Sequence, residues 1–198
     1  MEELEGLPVL HCADEAAWRD WLVEHGEAAA GVWLVFAKKG SGVASQSYAE
    51  AVDEALCSGW VDGKKLTRDA QTYVLRFTPR RPRSAWSQVN VDKVARLTAE
   101  GRLRPGGHAA VETARANGQW ERAYAPPSTM QVPDDLRAAL DAEPAAAKAF
   151  AGLDGTNRYA VLHRVQDAKR PQTRARRIET YVAMLARGER LHPRRTGS

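Results

Sequence analysis

The chain has 198 residues, 43% of them apolar and 27% charged, with a formal net charge of +4. That length fits one domain, or one domain with a helical extension, able to bury a core without staples. Two cysteines, Cys12 and Cys57, exclude a disulfide framework, and the lack of any run approaching ~20 apolar residues excludes a spanning helix.

The first residues, Met1 to Gly6, are acidic and lack the basic head and apolar run of a secretory signal, so the expected location is cytoplasmic and reducing. Asp14 is placed to cap a helix running to about His25, with Trp18, Trp21 and Leu22 on one face and Gly26 at its end. Val32 to Ala37 is a short apolar run that reads as a buried strand, followed by a glycine-rich loop from Lys38 to Gly42. Ser47 and Glu50 make a capping box that opens a helix burying Val52, Ala55 and Leu56, with Gly59 and Gly63 bracketing its end. From Thr72 to Thr78 the residues alternate as in a half-buried strand, and a preceding strand is only faintly indicated at Lys64 to Leu66.

Ser87 or Asn90 caps the next helix, which Gly101 closes, and a further helix is expected from His108 to Asn117. Paired prolines at Pro126 and Pro127 mark a stiff boundary. Beyond Pro133 only helices are expected, at 134–142, 144–152, 156–168 and 171–187, with Pro144 and Pro171 in first turns and Gly188 as the final stop. Residues 194–198 read as a mobile tail. The predicted fold class is α+β: a small mixed α/β N-terminal unit with a short sheet (1–124), a proline-rich connector (125–133) and an all-helical C-terminal unit (134–198).

Charge is unevenly spread. Residues 1–63 carry a balance of −9, residues 64–104 +8, residues 105–157 −3 and residues 158–198 +8. The first basic block concentrates Arg76, Arg80, Arg81 and Arg83 around Pro79 and Pro82. Proline fixes its own φ and holds the preceding residue extended, so these guanidinium groups are displayed on a stiff connector. Displayed in that way they suit carboxylate, phosphate or another oxyanion. Arg80, Arg81 and Arg83 lead the candidate site, with Ser84, Trp86, Ser87 and Asn90 as a polar and aromatic rim near a helix N-terminus. The competing reading has the arginines pairing with acids of residues 1–63 and Trp86 in the core.

In the second basic block, Lys169, Arg170, Arg174, Arg176 and Arg177 lie at the start of the helix opened by Pro171, where positive charge opposes the helix dipole. Arg170, Arg174 and Arg177 share a face and could form a second wall of the anion site, or a solvated face with internal ion pairs. Two +8 blocks also admit nucleic acid as a partner, although no DNA or RNA module is recognisable. Asp62 with Lys64 and Lys65 could serve acid–base chemistry but reads more simply as a charged turn, and Cys57 as a small buried residue. His11, His25, His108, His163 and His192 are scattered without metal-ligand spacing, and no phosphate loop is present, so no catalytic residue, cofactor or metal is expected.

Four segments, Gly31–Lys39, Tyr48–Gly63, Arg76–Ser87 and Ala168–Ile178, resemble the YdeI/OmpD-associated proteins, also called OmdA or bacteriocin-protection proteins. The resemblance runs from about Trp18 to Pro193. It implies a part in resistance to bacteriocins or other membrane-active cationic peptides and an association with envelope proteins. It implies no catalytic residue. The expectation is therefore a non-enzymatic protein that binds an anionic small molecule or an acidic protein surface, with nucleic acid as the alternative.

Overall fold

Val32–Ala37 is a strand buried on both faces, which is why it reads as a continuous apolar run without alternation. It is β3 of the elements β1 (Glu3–Leu4), β2 (Leu7–Leu10), α1 (Glu15–His25), β3, α2 (Tyr48–Cys57), β4 (Trp60–Thr67), β5 (Thr72–Pro79), α3 (Gln88–Ala99), α4 (Pro105–Ala116), α5 (Asp134–Asp141), α6 (Pro144–Ala151), α7 (Gly155–Gln166) and α8 (Pro171–Ala186). The structure is a computed structural model that describes residues 2–193; the tail expected at 194–198 lies outside the described residues. The fold class is α+β, with the sheet in a first unit (Met1–Ala123) and, among the described residues, helices as the regular elements of a second (Tyr124–Ser198). Among the described residues no helix is long and apolar enough to cross a membrane.

In the first unit the strands form a sheet in the order β1-β2-β3-β5-β4, with β2 and β3 parallel across α1 and the other neighbours antiparallel. Val32, Leu34 and Phe36 of β3 join Leu75 and Phe77 of β5 against Trp18 and Leu22 of α1 and Ala51, Ala55 and Leu56 of α2. Two indoles anchor this core by their nitrogens. Trp18 Nε1 donates to Ala51 O at 3.1 Å and Trp60 Nε1 to Gly26 O at 3.2 Å, so both rings are buried without losing their hydrogen bonds.

The opposite face carries a smaller core of Trp33, Val35 and Val74, with Leu4, Leu7, Val9 and Leu66 packed on it. β1 and β4 stand at opposite ends of the strand order, yet Glu2 pairs with Arg68 at 2.6 Å and Glu5 with Lys64. Side chains from the two ends of the sheet therefore reach one another: Leu4 and Leu66 both pack on the cluster of Trp33, and the two ion pairs link the first strands to the β4 end. The early hairpin and most of β4 escape the sequence because β1 has two residues and β4 is irregular between Asp62 and Lys65, which breaks the period of two.

α1 is capped by Asp14, whose Oδ1 accepts from Ala17 N at 2.9 Å, and α2 opens with the capping box of Ser47 and Glu50. α4 begins at Pro105, three residues before the expected start, and takes Gly106 and Gly107 into its first turn. Glycine is a poor helix former, but here the absence of a Cβ decides. A Cβ on Gly106 would lie 2.6 Å from Ser58 O, and one on Gly107 2.4 Å from Cys57 O. Packing against the end of α2 overrides propensity.

In the second unit Leu136, Leu140, Phe150, Val161, Leu162, Val165, Ile178, Tyr181 and Leu185 form the core. Met130, from the proline-rich stretch, is buried among them, and Ala125 and Val132 pack against the same core. Asn157 is 1% exposed. Its amide donates to Asp154 and to His192 O at 3.2 Å and its oxygen accepts from His192 N at 2.9 Å, which pins the chain beyond α8 to the start of α7.

Gly59 sits in the turn between α2 and β4 at φ 76°, and a Cβ there would lie 2.3 Å from Gly106 O. Gly40 has φ 78° with nothing within 4 Å. Gly40→Ala is expected to cost about 1 kcal/mol. Gly59→Ala should cost about 3 kcal/mol or more, since the clash adds to the strain. Denaturant midpoints of the two variants check the difference.

Candidate functional site

The arginine connector leaves β5 at Pro79 and is shaped by its own backbone before any ligand need be considered. Arg80 N donates to Gly59 O at 2.9 Å, and Arg80 Nη1 donates to Ala85 O at 3.2 Å. The Arg80 guanidinium lies 3.6 Å over the ring of Trp86. Trp86 is 3% exposed and meets Trp120 edge-on at 4.9 Å, so its indole belongs to the core while also lining the cleft described below. Arg81 and Ser84 close a turn, with Ser84 Oγ accepting from Arg81 N and Ser84 N donating to Arg81 O, both at 2.9 Å. Ser87 caps α3 by accepting from Asn90 N at 3.2 Å. Asn117 Nδ2 donates to Pro82 O and ties the loop to the end of α4. The two hydroxyls expected to rim a ligand are thus engaged in building the turn and the cap. Arg81 and Arg83 are exposed, and neither guanidinium has a partner among the described residues.

Beside the connector lies a cleft of about 440 Å³. Its walls are the end of α1 (Leu22, Val23, Gly26, Glu27), the turn Ser58–Trp60, the connector (Pro79 to Pro82) and the first turns of α4 (Arg104 to Gly106, Ala109, Ala110 and Thr113). The lining is more apolar than polar, with Arg80, Arg81, Glu27 and Arg104 as its charged residues; Arg104 is turned onto Glu54. α4 has no side-chain cap, and the amides of a first helical turn have no acceptor within the helix. Arg80 and Arg81 border the cleft; Arg83 does not line it.

The wall made by α4 is held by a carboxylate that sequence reasoning passed over. Glu54 is 1% exposed. Its two oxygens accept separately, one from Arg102 Nη2 at 2.7 Å and one from Arg104 Nη2 at 2.8 Å. Arg104 also donates to Ser58 Oγ at 2.9 Å and Glu54 O at 2.8 Å, and Arg102 reaches Glu15 at 2.7 Å. Burial pushes the Glu54 carboxyl upward, but the hydrogen bonds from Arg102 and Arg104 outweigh it and hold the group below the usual carboxylate range. The available signal was an acid on the apolar side of a capped helix together with two arginines flanking Leu103 between helices.

The other basic block is placed within the second unit. Arg174 grips Asp135 through Nε at 2.5 Å and Nη2 at 2.8 Å and donates through Nη1 to Val165 O at 2.9 Å. Arg177 donates to Arg164 O and lies 3.5 Å from Asp167. Val165 and Arg164 belong to the last turn of α7, whose carbonyls lack intrahelical donors. The cations that oppose the dipole of α8 therefore neutralise the opposite end of α7, with Asp135 adding a full negative charge. Arg170, the N-cap of α8, is exposed.

The remaining candidates have structural surroundings. Asp62 accepts from Tyr48 Oη at 2.9 Å, Lys64 pairs with Glu5, and Lys65 lies 3.7 Å over the ring of Tyr73. Burial, and secondly the charge of Glu54, pushes the Cys57 thiol up to about 11, so it stays protonated at neutral pH. Among the described residues no group of three or more His, Cys, Asp or Glu could hold a metal ion.

Fold and cleft together define an α+β module with a charged-rimmed pocket, followed by a helical module. Residues 10–110 match the family model of a domain of unknown function (DUF8412), which covers just over half of the chain, and residues 129–188 match that of the bacteriocin-protection, YdeI or OmpD-associated proteins. The chain belongs to the first of these families, and its helical unit is an OmdA domain of the YdeI/OmpD-associated family. No curated protein and no solved structure matches it at a significant level.

Glu54→Gln should destabilise the protein at pH 7 by about 3 kcal/mol, the low end for breaking a buried ion pair, because both arginines keep some contact with water. The folded-state pKa of Glu54 lies below its ordinary value. Its contribution is thus complete above the ordinary glutamate range and is lost as pH falls through the folded value. Urea unfolding of both proteins at several pH values is expected to show the gap shrinking below about pH 4.

Proposed function

We propose that this YdeI/OmpD-associated protein is a binding protein whose first unit takes up a small molecule bearing a carboxylate or phosphate in the cleft beside the arginine connector. Arg81 is the principal contact. The observation that carries this reading is an exposed guanidinium, without a partner among the described residues, on the rim of a concave apolar cleft. A planar guanidinium offers paired donors to a carboxylate or phosphate. The apolar walls would take the body of the ligand, and the fixed turn of Arg81 with Ser84 keeps the reach of the side chain defined at its base. Arg80, stacked on Trp86, adds positive potential. The first turn of α4 adds a partial positive charge from below. The bacteriocin-protection description belongs to the family model matched by the helical second unit, and it suggests for the chain as a whole a setting in defence against toxic peptides.

The arginines of the second unit play a different part in this reading. Arg174 and Arg177 hold α8 to α7, and Arg170 remains exposed to meet an acidic surface.

The test is calorimetric titration with phenyl phosphate and with phenylpropionate. Arg81→Ala is expected to weaken binding roughly 10- to 100-fold, the equivalent of about 1.5–3 kcal/mol for a charge-assisted hydrogen bond, with an unchanged Tm. Arg83→Ala, exposed but off the cleft, should leave binding within about twofold. Equal affinities for Arg81→Ala and the parent protein would overturn the assignment.

A further inference from the structure

Glu27 has no place in the anion-binding reading. It lines the same cleft as Arg81, is exposed, and has no partner among the described residues. An anion entering beside Arg81 would meet this carboxylate as a repulsive group. A site built only for anions gains nothing from it.

The chain segments that carry the two charges are each anchored by a hydrogen bond to a backbone carbonyl. Trp60 Nε1 bonds Gly26 O at 3.2 Å, and Gly26 precedes Glu27. Arg80 N bonds Gly59 O at 2.9 Å, and Arg80 precedes Arg81. Both charged residues are therefore next in the chain to a residue fastened to the Gly59–Trp60 pair. They line one cleft, yet no ion pair joins them. The cleft is also bounded by the carboxyl end of α1 and the amino end of α4, which carry partial charges of opposite sign. Between the poles the walls are mainly apolar, including Pro79 and Ala110, with Ser58 and Arg104 bonded to each other.

From this we infer that the cleft recognises a zwitterion, a molecule with a carboxylate and an ammonium group separated by an apolar body, as in a short apolar peptide with free termini. The inference rests on the anion-binding role of Arg81 and adds the second pole. The carboxylate is held by Arg81 and the ammonium by Glu27, and the apolar side chains of the ligand lie on the walls. The volume of about 440 Å³ falls within the range of small-molecule sites and accommodates a dipeptide. Each charged end, partly withdrawn from water, interacts with its partner more strongly than it would in bulk solvent.

Three probes separate the two readings: leucyl-leucine, its N-acetyl derivative, which keeps only the carboxylate, and its C-terminal amide, which keeps only the ammonium. Titrated into the full chain, leucyl-leucine is expected to bind about tenfold more tightly than either blocked form. Glu27→Gln should remove the advantage over the N-acetyl form while leaving the affinity for that form unchanged or raised, and Arg81→Ala should weaken both. If the N-acetyl form binds the parent protein as tightly as leucyl-leucine, the zwitterion inference falls and anion binding stands. If no probe binds, both fall. The comparison on the parent protein needs no variant, so a variant that folds poorly cannot rescue the idea.

Discussion

A single buried carboxylate determines where the cleft of this protein can be. Glu54 withdraws from water on the inner face of α2, and such a group is tolerated only when its charge is matched. Arg102 and Arg104 match it from the link between α3 and α4, one guanidinium to each oxygen. The bond from Arg104 to Ser58 carries the constraint into the next turn. α4 is thereby fixed with its first turn against the end of α2, close enough that Gly59, Gly106 and Gly107 have no room for a side chain. The cleft is the space left between that helix end, α1 and the connector.

The same physics sorts the arginines of the chain. A guanidinium that meets a buried carboxylate, a helix-terminal carbonyl or an indole face is committed to architecture: Arg102 and Arg104 on Glu54, Arg174 on Asp135 and α7, Arg177 on α7, and Arg80 on Trp86. Those that point into water without a partner among the described residues, such as Arg81 and Arg83, keep their donors for something else. Proximity to a concave wall then separates Arg81 from Arg83. Of a run that looks uniform in sequence, Arg81 is the member that is exposed, has no partner among the described residues and lines the cleft.

The stiffness anticipated for the connector has a more specific origin than its prolines. Pro79 and Pro82 restrict the backbone, but the turn of Arg81 with Ser84, the cap by Ser87 and the anchor from Asn117 to Pro82 O set its path. Each hydroxyl satisfies a backbone amide that would otherwise be exposed or unpaired. Ser84 and Ser87, expected at a ligand-binding rim, thus accept from backbone amides, while the side chain of Arg81, three residues before Ser84, has no partner among the described residues.

Local sequence determined those features whose cause is local. The cap of Asp14, the box of Ser47 and Glu50, the apolar run of β3 and the prolines at the starts of α6 and α8 each depend on residues a few positions apart, and all were legible. The arginine connector was legible as a run of cations around two prolines. The rest required the chain to fold back on itself. Ion pairs join Glu2 and Glu5 to Arg68 and Lys64, the match to Glu54 comes from some fifty residues downstream, and Glu27 and Arg81, far apart in the chain, line one cleft. Periodicity and capping report neighbours along the chain. A charge finds its partner, or keeps its donors free, by neighbours in space, and tertiary structure alone decides those.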